Sequence, residues 1–288
     1  GEFRCTLLLA HTKMSQTNRN IVNNDAFDPI YTRLLGFDYT SAAALQARRY
    51  MHAYGIKEEH TAAVVRKNLG NAVDNPRAHN KGRFSMEEIL RSPFVSDPIR
   101  AMDMAPDTDG AVAMVLASGE RAADITDTPV WIRGMGTCYD AHYLGDRDLA
   151  GCMALERAAA RAYGMAGITD PRQEIDVVEL AEEFSYQELL WTEGLGICGR
   201  GEGGKLVASG VTGRNGKLPV NPSGGLLSGV PANVMGLNRV AEAALQVMGK
   251  AGDCQVPGVK CAVAQGHSGF CGQHHCVVVL GADGRRSR

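Results

Sequence analysis

The sequence predicts an α/β fold in which helices pack on both faces of a mostly parallel sheet. Short apolar stretches rich in β-branched residues alternate with longer helical segments, and this order is typical of strands joined by helical crossovers. The chain has 288 residues, of which 44% are hydrophobic and 22% charged, an ordinary globular composition. We expect a boundary near residues 123–128, which divides the chain into units 1–125 and 126–288.

The N-terminal part is predicted to contain two strands and two helices. Thr6–Ala10 is a short apolar run and is predicted to be a buried strand. Residues 41–54 and 57–71 are predicted to be helices, with Gly55 between them as a stop signal. Residues 111–116 are predicted to form the next strand. Two segments rich in polar and turn residues are predicted to be loops over the functional site: 71–83 and 91–106.

The C-terminal part continues the same alternation. Strands are predicted at 130–135 and 175–178, with an amphipathic helix at 153–163 between them. A further helix is predicted to begin after Pro231, and the final strand is predicted at 276–280.

Composition excludes several functional classes. The net charge of −2 gives no basic footprint for nucleic acid, and no apolar run approaches the roughly 18 residues that a membrane span requires. The eight cysteines show no regularly spaced framework, so we expect reduced thiols and a cytoplasmic protein. No nucleic-acid or membrane partner is predicted.

A glycine-rich segment carries the strongest functional signal. It contains Asn221-Pro222-Ser223-Gly224-Gly225, a short spacer, and Gly229-Val230-Pro231 before the predicted helix. A Gly-Gly pair permits positive φ and a close approach of the backbone to a ligand. The unpaired N–H groups and the positive end of the helix dipole would stabilise an oxyanion or a thiolate. A tight turn from a strand to a helix is the structural alternative.

This segment and its neighbours resemble the thiolases, which make and break carbon–carbon bonds next to a CoA thioester. In that family the spacer leads to Gly-His-Pro, so Val230 takes the place of a catalytic histidine. The loop after strand 175–178 resembles that of the sterol-carrier-protein and archaeal types, where Ala181 replaces another histidine. Segments 109–118 and 276–280 also fit the family in the right order.

The resemblance implies a thiolase-like layered αβαβα fold built from two similar halves. Residues 1–15 resemble the segment that follows the helix of the catalytic nucleophile. The family's nucleophilic cysteine is therefore expected upstream of residue 1, in a longer polypeptide. We expect 1–125 to be the remainder of the first half, incomplete at its N-terminus, and 126–288 to be the second half.

The implied activity is that of an acyl-CoA C-acyltransferase acting on a β-ketoacyl-CoA, with coenzyme A as a substrate and no covalently bound cofactor. Val230 cannot exchange a proton, so either the base is relocated, with Glu182 or Glu183 able to serve if desolvated, or the chemistry has changed. The glutamates could instead lie in a solvated loop. The resemblance places five residues at the substrate: Phe184, Asn221, Gly224, Gly225 and Val230.

Steroid-side-chain aldolases of the same superfamily suggest an alternative. They resemble this chain at 47–52 and 196–202 and cleave β-hydroxyacyl-CoA by a retro-aldol reaction with the help of tyrosines. Tyr186 is therefore a candidate acid or base, although it could equally be an aromatic residue of the core. A third alternative is a degenerate, non-catalytic subunit that binds acyl-CoA or scaffolds a partner.

The segment 264–276 contains three histidines and two cysteines. These residue types could bind zinc, but there is no Cys-x-x-Cys knuckle, and adjacent residues of a strand face opposite ways. We therefore predict no metal site. In the resembled family this turn carries a second catalytic cysteine or histidine, which makes His267 and Cys271 candidates. We expect His267 to be exposed, whereas Cys271 could also be a small buried hydrophobe.

The resemblance also implies partners. Thiolases form dimers through the sheet of the first half, so a homodimer or a larger hetero-oligomer is expected. Members of this branch commonly work with a small zinc-ribbon and OB-fold chain. Arginines and lysines between Arg66 and Arg100 could meet the CoA phosphates.

Overall fold

The computed structural model describes residues 3–25, 27–28, 30–229 and 231–283. The strands are β1 Cys5–Lys13, β2 Phe94–Ser96, β3 Ile99–Arg100, β4 Asp109–Ala117, β5 Trp131–Tyr139, β6 Val177–Glu179, β7 Cys261–Ser268 and β8 His274–Gly281. The helices are α1 Arg19–Asn24, α2 Tyr39–Tyr54, α3 Glu58–Ala72, α4 Met86–Leu90, α5 Gly119–Ile125, α6 Met153–Ala166, α7 Pro171–Glu174, α8 Ser185–Gly194, α9 Gly203–Ala208 and α10 Met235–Met248.

The larger sheet has the strand order β5-β8-β7-β6. Strands β6 and β7 are parallel, whereas β7–β8 and β5–β8 are antiparallel. The prediction of a mostly parallel sheet is therefore wrong. The reason is the short connection between Ser268 and His274, which joins β7 to β8 as a hairpin and leaves no room for a helical crossover.

Helices cover both faces of this sheet, as predicted. Successive residues of a strand point to opposite faces. Val263 belongs to the large core cluster with Leu155 of α6, while the neighbouring Ala262 belongs to a second cluster with Ala243 of α10. Both helices are therefore fixed by apolar contacts with the sheet that carries β6 and β7.

The predicted helices α2 and α3 are confirmed. Asp38 caps α2 by accepting a hydrogen bond from the Ser41 amide, and Gly55 ends the helix in the left-handed conformation with φ 67°. Tyr50 and Leu69 from these helices join the large core cluster beside Leu189 of α8. Helices α2 and α3 consequently pack against the part of the chain that follows β6.

The first predicted strand exists but is not buried. Strand β1 pairs antiparallel with β4, from Cys5 opposite Ala117 to Lys13 opposite Asp109. Leu7 and Leu9 are 65% and 64% exposed, whereas Ala10 packs against the cluster that contains Ala181. One face of the strand packs on the core and the other does not, so the prediction of a buried strand is wrong.

The loop predicted at 71–83 is a loop from residue 73 onward, whereas the one predicted at 91–106 contains short regular elements. The second holds the hairpin of β2 and β3, and α4 lies between the two segments. Strand β7 and helix α9 were not predicted. Among the described residues, the structure has no helix that is long and apolar enough to cross a membrane.

Candidate active site

The candidate site forms where neighbouring parallel segments end. Residues 219–221 run parallel beside β6, because the Val178 amide donates to Pro219 and the Asn221 amide donates to the Val178 carbonyl at 2.8 Å. Strand β7 runs parallel to β6 on its other side. The loops that follow β6 and Asn221 therefore meet His267 near the carboxyl end of β7, where ligand sites collect in α/β sheets.

Glu182 holds the glycine-rich loop in place. Its Oε2 accepts from Asn221 Nδ2 at 2.8 Å, and its Oε1 accepts from the Leu226 amide at 3.0 Å. A Cβ atom on Gly225 would lie 1.9 Å from Glu182 Oε1, and Gly225 has φ 64°. A glycine is therefore required at this position both by the backbone angle and by the close carboxylate.

Further buried charges brace the same loop. Asn68 Nδ2 donates to both Glu182 and Glu188, and Lys67 forms a 2.9 Å ion pair with Glu188. Burial, and then the charge of Glu188, raise the pKa of Glu182 to about 8. Because its oxygens are occupied by donors from the loop, we interpret Glu182 as a support for the loop.

A second buried ion pair fixes the middle of the loop. Arg239 of α10 donates to Glu179 Oε2 at 2.6 Å and to Ser223 Oγ at 3.0 Å. Burial raises the pKa of Glu179 to about 7 despite the opposing charge of Arg239. The loop from Asn221 to Gly225 is thus held from β6, α3, α8 and α10 together.

Glu183 and His267 form a buried pair. The Glu183 Oε2 and His267 Nε2 atoms are 3.7 Å apart, and the two side chains are 5% and 1% exposed. The hypothesis of a solvated glutamate loop is therefore wrong, since Glu182 and Glu183 are both buried. The expected exposure of His267 is also wrong, because the Trp191 ring covers it with a centroid separation of 4.6 Å.

Burial controls the charge of His267. It lowers the pKa of the imidazole, and the nearby Glu183 carboxylate opposes this effect only in part. The Ala181 backbone also favours the charged ring, but burial is the larger effect. A neutral, buried imidazole of this kind can accept or donate a proton when a substrate is bound.

The segment Asp103–Ala105 fixes the backbone on which Glu183 lies. The Ala105 amide donates to the Glu183 carbonyl at 2.9 Å, and Met104 pairs with Phe184 in an antiparallel bridge. The Ser185 hydroxyl donates to the buried carboxylate of Asp103. The predicted loop at 91–106 therefore does contact the site.

Tyr186 and Cys271 are both buried and hydrogen-bonded. The Tyr186 hydroxyl donates to Gln46 Oε1 at 2.9 Å, and the Cys271 thiol donates to the Ala42 carbonyl at 3.3 Å. Burial raises the pKa of Tyr186 well above its usual value and that of Cys271 to about 12. Both groups remain protonated near neutral pH, so Cys271 is a thiol and not a thiolate.

The ring of His275 lies next to that of His267. Its hydrogen bonds fix its tautomer. The Ala181 amide donates to Gln265 Oε1 at 3.0 Å, so Gln265 Nε2 must be the atom that faces His275 Nδ1, at 2.9 Å. His275 Nδ1 therefore accepts, and the proton of the neutral ring lies on Nε2. Burial and the neighbouring His267 keep the pKa of His275 well below its usual value.

The structure thus brings some predicted site residues together and leaves others in supporting positions. Glu183 and His267 are in direct contact, and Phe184 stacks near Tyr186 with a centroid distance of 6.2 Å. Gly224 also lies in the braced loop, whereas Val230 lies outside the described residues. Among the residues that the structure describes, there is no cluster of three or more His, Cys, Asp or Glu that could hold a metal.

Lys67, one of the basic residues considered for the CoA phosphates, instead pairs with the buried Glu188. Several supporting residues were not predicted from the sequence: Gln46, Asn68, Asp103, Glu188 and Arg239. Their partners lie far away in the chain, so spacing along the sequence gives no direct signal. Gln46 and Asn68 left a hint, since Gln46 lies on the face of α2 that also carries Ala43, Ala47 and Tyr50, and Asn68 lies on the face of α3 that carries Val64 and Val65. A polar residue on an otherwise apolar face requires a buried partner.

The fold and this site define a layered α/β protein with a buried glutamate–histidine pair beside a glycine-rich loop that buried charges hold in place. Residues 136–282 match the family profile described as thiolase C-terminal domain-like. The chain is 38% identical to the acetyl-CoA acetyltransferase of Methanothermobacter thermautotrophicus, over 78% of this chain and 59% of that protein. It belongs to the thiolase superfamily.

Two further comparisons agree with this membership. Human sterol carrier protein 2 is 33% identical over 91% of this chain and 51% of that protein. The solved structure of the Ltp2-ChsH2(DUF35) aldolase superposes with a TM-score of 0.86 and 25% identity, covering 98% of this chain and 73% of that one. The predicted thiolase-like fold is confirmed. The chain spans 51% to 59% of the length of these two curated relatives.

Proposed function

We propose that this chain carries the acid–base pair of an enzyme that cleaves or forms the carbon–carbon bond next to an acyl-CoA thioester. The observation that carries the proposal is the buried contact between Glu183 and His267, 3.7 Å apart. Their position at the carboxyl ends of parallel segments, beside the Asn221–Gly225 loop, supports it. Superfamily membership supplies coenzyme A thioesters as the substrate class.

The pair can move a proton at the carbon next to the thioester. In the direction of bond formation, the Glu183 carboxylate removes a proton from that carbon, and the resulting enolate attacks the second substrate. In the direction of cleavage, the leaving enolate takes the proton back. The neutral His267 imidazole can accept that proton temporarily and then return it.

The first candidate chemistry is that of a thiolase-like C-acyltransferase acting on a β-ketoacyl-CoA. The 38% identity to an acetyl-CoA acetyltransferase supports it. This route needs a cysteine nucleophile and a base. Glu183 would replace the histidine that the family carries at the position of Val230, and Cys271, a buried thiol, would not be the nucleophile.

The second candidate is a retro-aldol lyase acting on a β-hydroxyacyl-CoA. The 0.86 TM-score to the Ltp2-ChsH2(DUF35) aldolase and the buried Tyr186 hydroxyl favour it. Glu183 would take the proton of the β-hydroxyl, and the bond between the α- and β-carbons would break as that oxygen becomes a carbonyl. The electron pair passes to the acyl-CoA enolate, which then takes the proton at its α-carbon.

Product analysis tests the proposal. The purified protein, with any subunits that accompany it, is supplied either with acetoacetyl-CoA and free CoA or with 3-hydroxybutyryl-CoA. Two molecules of acetyl-CoA from the first mixture support thiolysis, whereas acetaldehyde with acetyl-CoA from the second supports the lyase. If neither ester nor longer homologues are cleaved, the proposal is contradicted in favour of a binding or scaffolding subunit.

We also propose partners. The similar aldolase is named for two components, Ltp2 and ChsH2, which supports a second chain. We propose that this second chain is the small zinc-ribbon and OB-fold partner that the resemblance implies, and that the protein also forms a homodimer. All eight cysteines are free, so a cytoplasmic location is proposed as well. Native mass spectrometry of the purified protein tests the assembly, and a monomer without a copurifying chain would contradict it.

A further inference from the structure

The side chain of Gln46 links two residues of the candidate site. Gln46 lies on α2 and is 1% exposed. Its Oε1 accepts from the Tyr186 hydroxyl at 2.9 Å, and its Nε2 donates to the Cys271 carbonyl at 3.3 Å. One helical turn earlier, the Ala42 carbonyl accepts from the Cys271 thiol at 3.3 Å. Helix α2 is therefore bonded to both Tyr186 and the turn at Cys271.

The Cys271 carbonyl determines which way the Gln46 amide points. A carbonyl oxygen can only accept, and here it also accepts from Arg147 Nη2 at 2.6 Å. The NH₂ group of Gln46 must therefore face Cys271, and the amide oxygen must face Tyr186. Because that oxygen has no proton to give, Tyr186 is the donor in the bond between them.

This direction limits what Tyr186 can offer to a substrate. A phenol has one proton and two lone pairs. Its proton is directed at Gln46, so the oxygen presents lone pairs to anything else that approaches it. A hydroxyl group can donate to them, whereas a keto oxygen is an acceptor and cannot. For Tyr186 to turn its proton toward a keto oxygen, the buried Gln46 oxygen would have to lose its partner.

We propose that Gln46 is a positioning residue that holds the Tyr186 hydroxyl as an acceptor and thereby makes the site prefer a β-hydroxyacyl-CoA over a β-ketoacyl-CoA. The inference rests on the proposed function, since it places the β-carbon of the acyl group next to Tyr186. It selects the retro-aldol route: the β-hydroxyl proton turns from the Tyr186 oxygen to Glu183, the bond between the α- and β-carbons breaks, and Glu183 passes the proton to the α-carbon, so no oxidant is needed.

Binding measurements test the role of Gln46. Dissociation constants for 3-hydroxybutyryl-CoA and acetoacetyl-CoA are measured by calorimetry in a Glu183→Gln background, which we expect to consume neither ester. We expect the hydroxy ester to bind about tenfold more tightly than the keto ester, because only the hydroxy ester can donate a hydrogen bond to the buried Tyr186 oxygen. Gln46→Met should abolish this preference because Tyr186 then has no fixed acceptor.

Two further variants separate positioning from structural damage. Gln46→Glu is isosteric, and its buried carboxyl in the neutral form can donate to the Cys271 carbonyl and accept from Tyr186, so the preference should be retained. Tyr186→Phe removes the oxygen itself and should abolish the preference, and adding Gln46→Met to it should change the ratio no further. An unchanged ratio in Gln46→Met overturns the proposal. If that variant does not fold, an unchanged ratio in Tyr186→Phe overturns it.

The failure of this inference and the failure of the proposed function give different results. If Gln46 has no role but the site is catalytic, the variants keep the wild-type binding ratio while the wild-type protein still cleaves an acyl-CoA. If the proposed function fails, the protein with Glu183 intact cleaves neither ester, whatever the binding ratio.

Discussion

Two neighbouring buried glutamates of the candidate site have different contacts, and these contacts suit them to different roles. Glu182 and Glu183 are adjacent in the chain and both buried, but their surroundings differ. Glu182 accepts from the Asn221 side chain and from the Leu226 amide, whereas Glu183 faces the imidazole of His267. Glu182 is thus held by groups of the loop, whereas Glu183 lies beside an imidazole that can exchange a proton with it.

The sequence could identify these two glutamates as candidates but could not tell them apart. Both follow a predicted strand, and both were open to the interpretation of a solvated loop. The difference between them depends on contacts with Asn221 and His267, which lie 39 and 84 residues away from Glu182 and Glu183 along the chain. The expected exposure of His267 failed for the same reason, since Trp191 covers its ring.

The buried neutral His275 predicts a dependence of stability on pH. Its pKa in the folded chain lies well below the usual value, so the unfolded chain binds more protons as the pH falls below about 6.5. This contribution to stability is present above that pH and is lost below it. Relative to His275→Gln, the wild-type free energy of unfolding should fall by up to about 1.4 kcal/mol per pH unit.

Urea denaturation at several pH values between 7.5 and 5 measures this difference. The comparison with the variant is needed because the raised pKa values of Glu179 and Glu182, about 7 and about 8, act in the opposite direction. Those carboxyls favour the folded chain at low pH and lose this effect as the pH rises through their folded values. The exposed His52 provides the control as His52→Gln. A pH-independent difference for His275→Gln would argue against a buried neutral ring.

At the scale of elements, the loop 221–225 is the best-supported sequence prediction. Its Gly-Gly pair permits positive φ, and Gly224 and Gly225 have φ 106° and 64°. The sequence could not show why a residue larger than glycine does not fit at position 225. The reason is the Glu182 carboxylate, which reaches the loop from the end of β6.

Gly225→Ala should therefore destabilise the protein more than an alanine at an open glycine. A Cβ there would lie 1.9 Å from Glu182 Oε1 and 2.7 Å from Asn221 Nδ2. Gly210 is a matched control, because it has φ 78° and nothing within 4 Å of the added Cβ. We expect Gly225→Ala to lower the unfolding free energy by about 1–3 kcal/mol more than Gly210→Ala. Equal losses in chemical denaturation would show that the contact with Glu182 is unimportant.

At the scale of the whole molecule, helix positions were easier to predict than strand pairing. Helices α2, α3 and α6 follow local apolar patterns and end at signals such as Gly55. The direction of β8 depends on a five-residue connection and on its pairing with β5, more than 130 residues earlier. The thiolase-like fold was predictable through the resemblance of ordered motifs, whereas the mostly parallel sheet inferred from alternation alone was wrong.

The large core joins the two predicted units. Tyr50, Val64 and Leu69 from the first unit share one apolar cluster with Leu155 and Leu189 from the second. Lys67 and Asn68 of the first unit also bond to Glu188 of the second. The geometry of the candidate site therefore depends on residues from both sides of the proposed boundary.

The most direct test of the central claim is the exchange of the α-protons of acetyl-CoA with D₂O, followed by mass spectrometry. Because Glu183 is proposed to remove that proton, the wild-type protein should exchange it, and Glu183→Gln should slow exchange by about 10²- to 10⁴-fold. His267→Ala should also slow it, and Glu120→Gln, at an exposed position on α5, should not. Exchange at the wild-type rate in Glu183→Gln would contradict the claim that the Glu183–His267 pair performs the proton transfer.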